Sequence, residues 1–298
     1  MGLDVSALAD YTEQVNGRII PKIVFEGFTT SILPIQSGIK FKESLNLFEV
    51  DLQVQSGDCV STPSGSFDAS QRVITVTQRT SYDGLCLDNL NPKYLGISAL
   101  DKGSYNETFK LASVYTEQIV NQMKKSNDSF LWNSTDGLGK LTSGSEAGVV
   151  VPDAATGSVD STTIIGITDA LIANINDDYA DRDDLSIWMS VANFRTFIVA
   201  LRNLNNYFFS PGDIDNRTGL MSIKYPFQNI TVYGTRGVIG DRIVLMPNAY
   251  AVIGTDELSD VDNFQLWYDV NADQLKHRLK SKLGVQIAYP NAVVSNGL

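Results

Sequence analysis

The sequence predicts an α+β fold built on one long helix, and three stretches carry that prediction. Residues 104–132, SYNETFKLASVYTEQIVNQMKKSNDSFLW, hold a helical repeat long enough to act as a spine. Residues 38–80 read as strand only, in two runs separated by a polar excursion. Residues 161–250 alternate short helical and strand patterns.

Taken in order, residues 1 to about 37 read as an arm. Ile19, Ile20, Ile23, Val24, Phe25 and Phe28 are too many apolar residues for a free tail, so they must bury against this chain's core or a neighbour's. LNLFEVDLQV then alternates as a strand, SGDCVSTPSGSFDASQ is a turn-rich excursion, and RVITVTQRT returns with β-branched alternation. Such a two-stranded ribbon, assigned to residues 38–90, is marginal alone and needs a partner surface.

In the spine, Ser104-x-x-Glu107 is a capping box. Phe109, Leu111, Ala112, Tyr115, Ile119 and Met123 recur at three- and four-residue spacings and fill one half of the wheel. From Glu107 to Leu131 this predicts a helix on the order of 37 Å long. The Gly/Ser-rich stretch at 139–162 is the best boundary. Beyond it come a capped helix at 161–177, a buried strand LSIWMS, a helix VANFRTFIVALRN, the loop NNYFFSPGDIDNRTG, and short strands in ITVYG, DRIVLMP and AYAVIGT. The last segment has a strand from Phe264 to Tyr268, a turn at Val270–Asp273, and a closing strand through Tyr289.

The composition, 43% hydrophobic and 19% charged over 298 residues, is that of a globular chain. No apolar run reaches the length of a membrane span, and the first residues lack the pattern of a secretory signal. The net charge of −11 repels nucleic acid, although a wall enclosing DNA gains from not adhering to it. Cys59 and Cys86 make no disulfide framework, and whether they meet stays open. The five N-x-S/T sequons, at Asn106, Asn127, Asn133, Asn216 and Asn229, read as chance in an Asn-rich chain.

No enzyme constellation emerges. His277 lies in the basic stretch KHRLKSK, reads as part of a solvated face, and has no spaced partners for a metal. A hydrolase pairing it with either cysteine has no local signature. The acidic run NDDYADRDD lacks the calcium-loop frame, and Gly234 to Gly240 lacks the dinucleotide fingerprint. Lys276, Arg278, Lys280 and Lys282 alternate with Leu279, Ser281 and Leu283, predicting a strand with one charged face. That face suits contact with acidic neighbours better than nucleic acid, since no aromatics are interleaved. No cofactor or metal is expected.

The order of parts resembles the major capsid protein of tailed bacteriophages, the Hong Kong ninety-seven type fold. KSKLGVQIAYPNAVV looks like that family's closing strand, FLWNSTDG like the exit from its spine helix, and SIWMSVANFRTFIVAL like the strand and helix of its axial domain. CVSTPSGSF followed by QRVITVTQRTSYDGLCLDNL is similar to the extended loop of capsid proteins from phages of gut Bacteroidetes-type hosts.

The resemblance implies an arm at 1–37, an extended loop at 38–90, a peripheral domain at 91–160 and 251–298, and an axial domain at 161–250. It further implies a non-enzymatic subunit of pentamers and hexamers, forming an icosahedral virion shell around double-stranded DNA read without sequence recognition. Assembly is expected in the host cytoplasm, away from membranes, with portal, separate scaffolding and decoration proteins as further partners. The expected subunit-interface residues are Ile23, Phe25, Phe28, Phe48, Phe67, Arg72, Arg79, Phe208, Phe209, Lys276, Arg278 and Lys280. Some relatives crosslink through a loop lysine, but none occurs here between Lys42 and Lys93, so the shell is expected to be non-covalent. A long N-terminal scaffolding segment is likewise not expected. The alternatives are an encapsulin-like compartment with this fold and, from a different class, a hydrolase or carbohydrate binder.

Overall fold

The computed structural model describes residues 27–52, 65–86, 107–204, 221–226, 228–256, 264–272 and 274–298. The N-terminal residues up to 26, the capping-box serine and the loop at 205–220 lie outside them. No helix among the described residues is long and apolar enough to cross a membrane.

Two five-stranded sheets and one ribbon organise the chain. The first sheet is built on β11 (Gln274–Ile287), whose two halves have different neighbours. Its first half lies between β10 (Phe264–Asp269) and β4 (Thr77–Cys86), both antiparallel to it. Its second half pairs with β9 (Ala251–Thr255), which carries the short parallel strand β1 (Ile35–Gln36). The second sheet has the order β12 (Val294–Ser295), β8 (Ile243–Pro247), β5 (Leu185–Ser190), β7 (Thr231–Thr235), β6 (Met221–Lys224).

The spine is α1 (Glu107–Asn133), a single helix of 27 residues. Ile119, Val120 and Met123 pack on Phe264, Leu266, Leu275 and Leu279 of the first sheet. Its final turns carry Leu131 and Trp132 into a second core that joins both sheets, against Trp188, Val244, Ile253, Val285 and Ile287. The short helix α2 (Leu138–Leu141) adds two buried leucines there.

Every residue of β5 is buried, its two serines, Ser186 and Ser190, included, as for a strand covered on both faces. Leu185, Ile187 and Met189 face α3 (Ile164–Ala173) and α5 (Val191–Asn203), while Trp188 points into the core between the sheets. Ser190 caps α5 by accepting from the Asn193 amide, and Asn176 caps the single-turn helix α4 (Asp177–Ala180) from its side-chain oxygen.

The ribbon pairs β2 (Lys42–Leu52) with β3 (Gly65–Thr75) and neither strand belongs to a larger sheet. The register, from Lys42 opposite Thr75 to Leu52 opposite Gly65, corrects the expected turn-rich excursion: residues 65–71 are strand. Cross-strand pairing outweighs the weak strand preference of SGSFDASQ. After Val76 the chain continues directly as β4 into the first sheet, so one extended stretch serves both ribbon and sheet.

AYAVIGT forms a strand as the sequence predicts. Its strand, β9, pairs with β11 and β1 and not with the αβ run preceding it. Gly254 permits this, since a Cβ there would meet the Ile74 and Ile39 side chains at 2.8 and 3.0 Å.

Candidate assembly surfaces

Three surfaces carry the expected interface residues or the unexplained polar groups. The first is the ribbon. Alternation places Phe48, Val50, Phe67 and Val73 on one face, where Phe48 is 60% and Phe67 64% exposed. The two rings stack with centroids 5.7 Å apart. The opposite face turns inward at its root: Ile74 and Leu47 are buried, and Arg72 forms a 2.6 Å ion pair with Glu146. Gln286 donates to the Val73 carbonyl and Tyr289 to the Phe48 carbonyl, so the ribbon is tied to the body at its root and near its middle while its apolar outer face stays uncovered by described residues.

The second surface is a cleft of about 690 Å3 between α1 and β4, lined by Arg79, Tyr115, Gln118, Gln122, Ser126 and His277. The Arg79 guanidinium donates to Asn127 Oδ1 at 2.6 Å and Ser126 Oγ at 2.7 Å, and lies over the Phe130 ring. Burial lowers its pKa.

His277 corrects the expectation of a solvated face: it is only 4% exposed. It shares strand parity with Leu275 and Leu279, the residues that face α1, whereas Lys276 and Arg278 have the other parity. Its Nδ1 lies 2.9 Å from the Tyr115 hydroxyl and its Nε2 3.1 Å from Ser81 Oγ. Burial lowers the imidazole pKa, partly countered by Asp83. The serine–histidine contact has the outline of a relay, yet the group on Nδ1 is a phenol whose own pKa burial raises. A neutral phenol does not stabilise an imidazolium as a carboxylate does. The arrangement ties helix to sheet.

The third surface is the other side of β4–β11–β10. Arg278 pairs across to Tyr82 on one strand and Gln265 on the other, and Lys276 to Gly84 and Trp267. The Tyr82 and Trp267 rings lie 6.0 Å apart, beside a pocket of about 430 Å3 lined with Thr80, Gln265 and Arg278. Lys276 pairs with Asp269 at 2.5 Å, and Lys282 pairs with Asp256. The sequence reading found the cations but not these rings. The rings arrive from neighbouring strands, and only register brings them alongside.

Of the expected interface residues, Ile23, Phe25, Phe208 and Phe209 lie outside the described residues. Phe28 packs on the second core, and the Phe28 and Thr29 amides donate to the Asp128 carboxylate. Burial raises the Asp128 pKa against the pull of those donors. Phe48 and Phe67 come together on the ribbon, Lys276, Arg278 and Lys280 on the sheet face, and Arg72 and Arg79 are held within the chain. Among the described residues, no cluster of His, Cys, Asp and Glu is arranged to hold a metal.

No family model matches the chain, and no curated protein matches it in sequence. Solved structures do. A chain of the satellite phage P4 procapsid superposes with a TM-score of 0.60 at 9% identity, covering 99% of this chain and 98% of that one. The capsid of an empty GTA particle gives 0.56 at 9% identity over 91% and 89%. An encapsulin complex from Synechococcus elongatus gives 0.55 at 9% identity over 94% and 88%. The chain therefore has the capsid-shell fold of the Hong Kong ninety-seven type. These neighbours lend no support to a Bacteroidetes-type host.

Proposed function

We propose that this chain is the major capsid protein of a tailed phage, self-assembling into pentamers and hexamers of an icosahedral shell around double-stranded DNA. One observation carries the reading: the β2–β3 ribbon belongs to no larger sheet, yet presents stacked, exposed Phe48 and Phe67 on a fold shared with shell-forming proteins. Covering that face on assembly removes apolar area from water, worth about 25 cal/mol per Å2.

On this reading residues 1–37 are the arm, 38–90 the extended loop, 91–160 with 251–298 the peripheral domain, and 161–250 the axial domain that closes each ring. The subunit is structural and non-catalytic, and its place is the virion, after assembly in the host cytoplasm. The charge of −11 lets packaged DNA move without sticking. Contacts are non-covalent, because no lysine lies between Lys42 and Lys93. Portal, scaffolding and decoration proteins complete the particle.

A second reading, an encapsulin-like compartment, is supported by the Synechococcus match at a similar TM-score. Electron microscopy and light scattering on the chain expressed alone and with its genomic neighbours test both. Rings, tubes or shells are expected, and DNA within shells selects the capsid while enclosed enzyme selects the compartment. A small oligomer under every condition would falsify both.

A further inference from the structure

Around Arg79, in the cleft between α1 and β4, hydrogen-bond donors outnumber acceptors. The guanidinium donates to Asn127 Oδ1 and Ser126 Oγ, lies over the Phe130 ring, and has no carboxylate partner among the described residues. Arginine carries donors only, so further N–H groups are left without an acceptor. Ser281 stands opposite Arg79 on β11, and cross-strand partners share a face. Neither the Ser281 hydroxyl nor the Asn127 side-chain nitrogen finds a hydrogen-bond partner, although both residues are buried. The carboxylates nearest along each element are engaged elsewhere: Asp128 accepts from the Phe28 and Thr29 amides, and Asp83 from the Gly84 amide. Donors shielded from water in this way cost stability until an acceptor is supplied.

We infer that this cleft is a binding site for a small organic oxyanion, its carboxylate or phosphate on Arg79 and its apolar body along α1. The guanidinium fork matches either group with two parallel hydrogen bonds. Ser126 accepts from Arg79, which leaves its own hydroxyl proton to donate to the same anion. Gln122 adds an amide from the preceding turn of the helix, and Met123 and Phe130 supply an apolar wall. The cleft, about 690 Å3, has the size of a small-molecule site and exceeds what a bare ion fills.

Charge along the strand sets the direction of the ligand. Arg79, Ser81 and Asp83 lie on one face of β4, and Arg79 and Asp83 are about 13 Å apart at about 3.3 Å per residue. Asp83 pairs across to His277, at the opposite end of the cleft from Ser281 and Arg79. An anionic group is therefore repelled at the Asp83 end and drawn to the Arg79 end. Seated there, it bridges β4 to α1. The site belongs to the fold of one subunit and does not depend on the self-assembly reading.

Titration calorimetry on the full chain with two probes, benzoate and phenyl phosphate, at fixed ionic strength tests the site. At least one is expected to bind with a Kd below about 1 mM, and the tighter of the two tells carboxylate from phosphate. Arg79→Gln is expected to weaken that binding about tenfold or more, the loss of a charged hydrogen bond. Because Arg79 also ties strand to helix, Ser126→Asp is the second variant. It brings a carboxylate of the chain's own to the guanidinium, and is expected to abolish probe binding without lowering the melting temperature. Hydrogen exchange over residues 79–83 and 122–126 is expected to slow when the probe is present.

The site is overturned if neither probe binds more tightly than about 1 mM. Binding that persists in Ser126→Asp, or protection confined to other segments, overturns it as well, whatever Arg79→Gln does. Any of these results leaves the shell reading intact, since that reading rests on the fold and the ribbon.

Discussion

Trp132, at the end of the spine helix, and Trp188, in the middle of β5, lie with ring centroids 5.7 Å apart in the core that joins the two sheets. Each indole N–H is satisfied separately: Trp132 donates to Thr29 Oγ1 at 3.1 Å, and Trp188 to Ser186 Oγ at 2.7 Å. The contact lies within the core where spine, first sheet and second sheet meet.

Trp132→Ala is expected to cost about 3–5 kcal/mol, since the ring is almost fully buried and its removal leaves a large cavity. Chemical denaturation measures this. A loss below about 1 kcal/mol would show that the two sheets are held together elsewhere.

Gly284→Ala tests the root of the ribbon. A Cβ at this position would lie 2.0 Å from the Thr75 carbonyl oxygen and 3.1 Å from Val76 Cα, so backbone must move. The expected loss is about 1–3 kcal/mol, with faster hydrogen exchange over residues 73–77. Unchanged exchange there would mean that the ribbon is anchored independently of this approach.

His277 makes stability depend on pH in a definite direction. Burial lowers its folded-state pKa below the usual value of 6.5, so as pH falls the unfolded chain takes up the proton first. Stability then drops as pH goes below about 6.5 and levels off once the folded-state pKa is passed. The slope between pH 7.5 and 5.5 is expected to be shallower in His277→Gln, which cannot be protonated. Equal slopes would assign the acid sensitivity to other groups.

Phe48→Ser with Phe67→Ser separates folding from assembly. Both side chains are exposed, so the monomer's stability should change by no more than about 0.5 kcal/mol. Loss of large particles at unchanged monomer stability is the expected result. Particles of normal yield would remove the ribbon's apolar face from the assembly surface.

Local periodicity made much of this architecture legible. The four-residue spacing of Tyr115, Ile119 and Met123 found the spine, and the mostly apolar run LSIWMS found a buried strand. Alternation in KHRLKSK found the charged strand. His277 was misread because its chain neighbours are charged, whereas its side chain shares the parity of Leu275 and Leu279. Residues 65–71 were misread because polar, glycine-bearing sequence becomes strand when another strand supplies its hydrogen bonds.

Spacing along the chain thus determined which residues share a face of a helix or strand, because that geometry repeats every few residues. Which faces meet was decided by strand register and packing between distant segments. That β9 joins β11, that Tyr82 and Trp267 flank Arg278, and that Trp132 reaches Trp188 are long-range pairings. Local sequence leaves such pairings open, because they depend on which arrangement buries the apolar faces and satisfies the backbone of the whole chain at once.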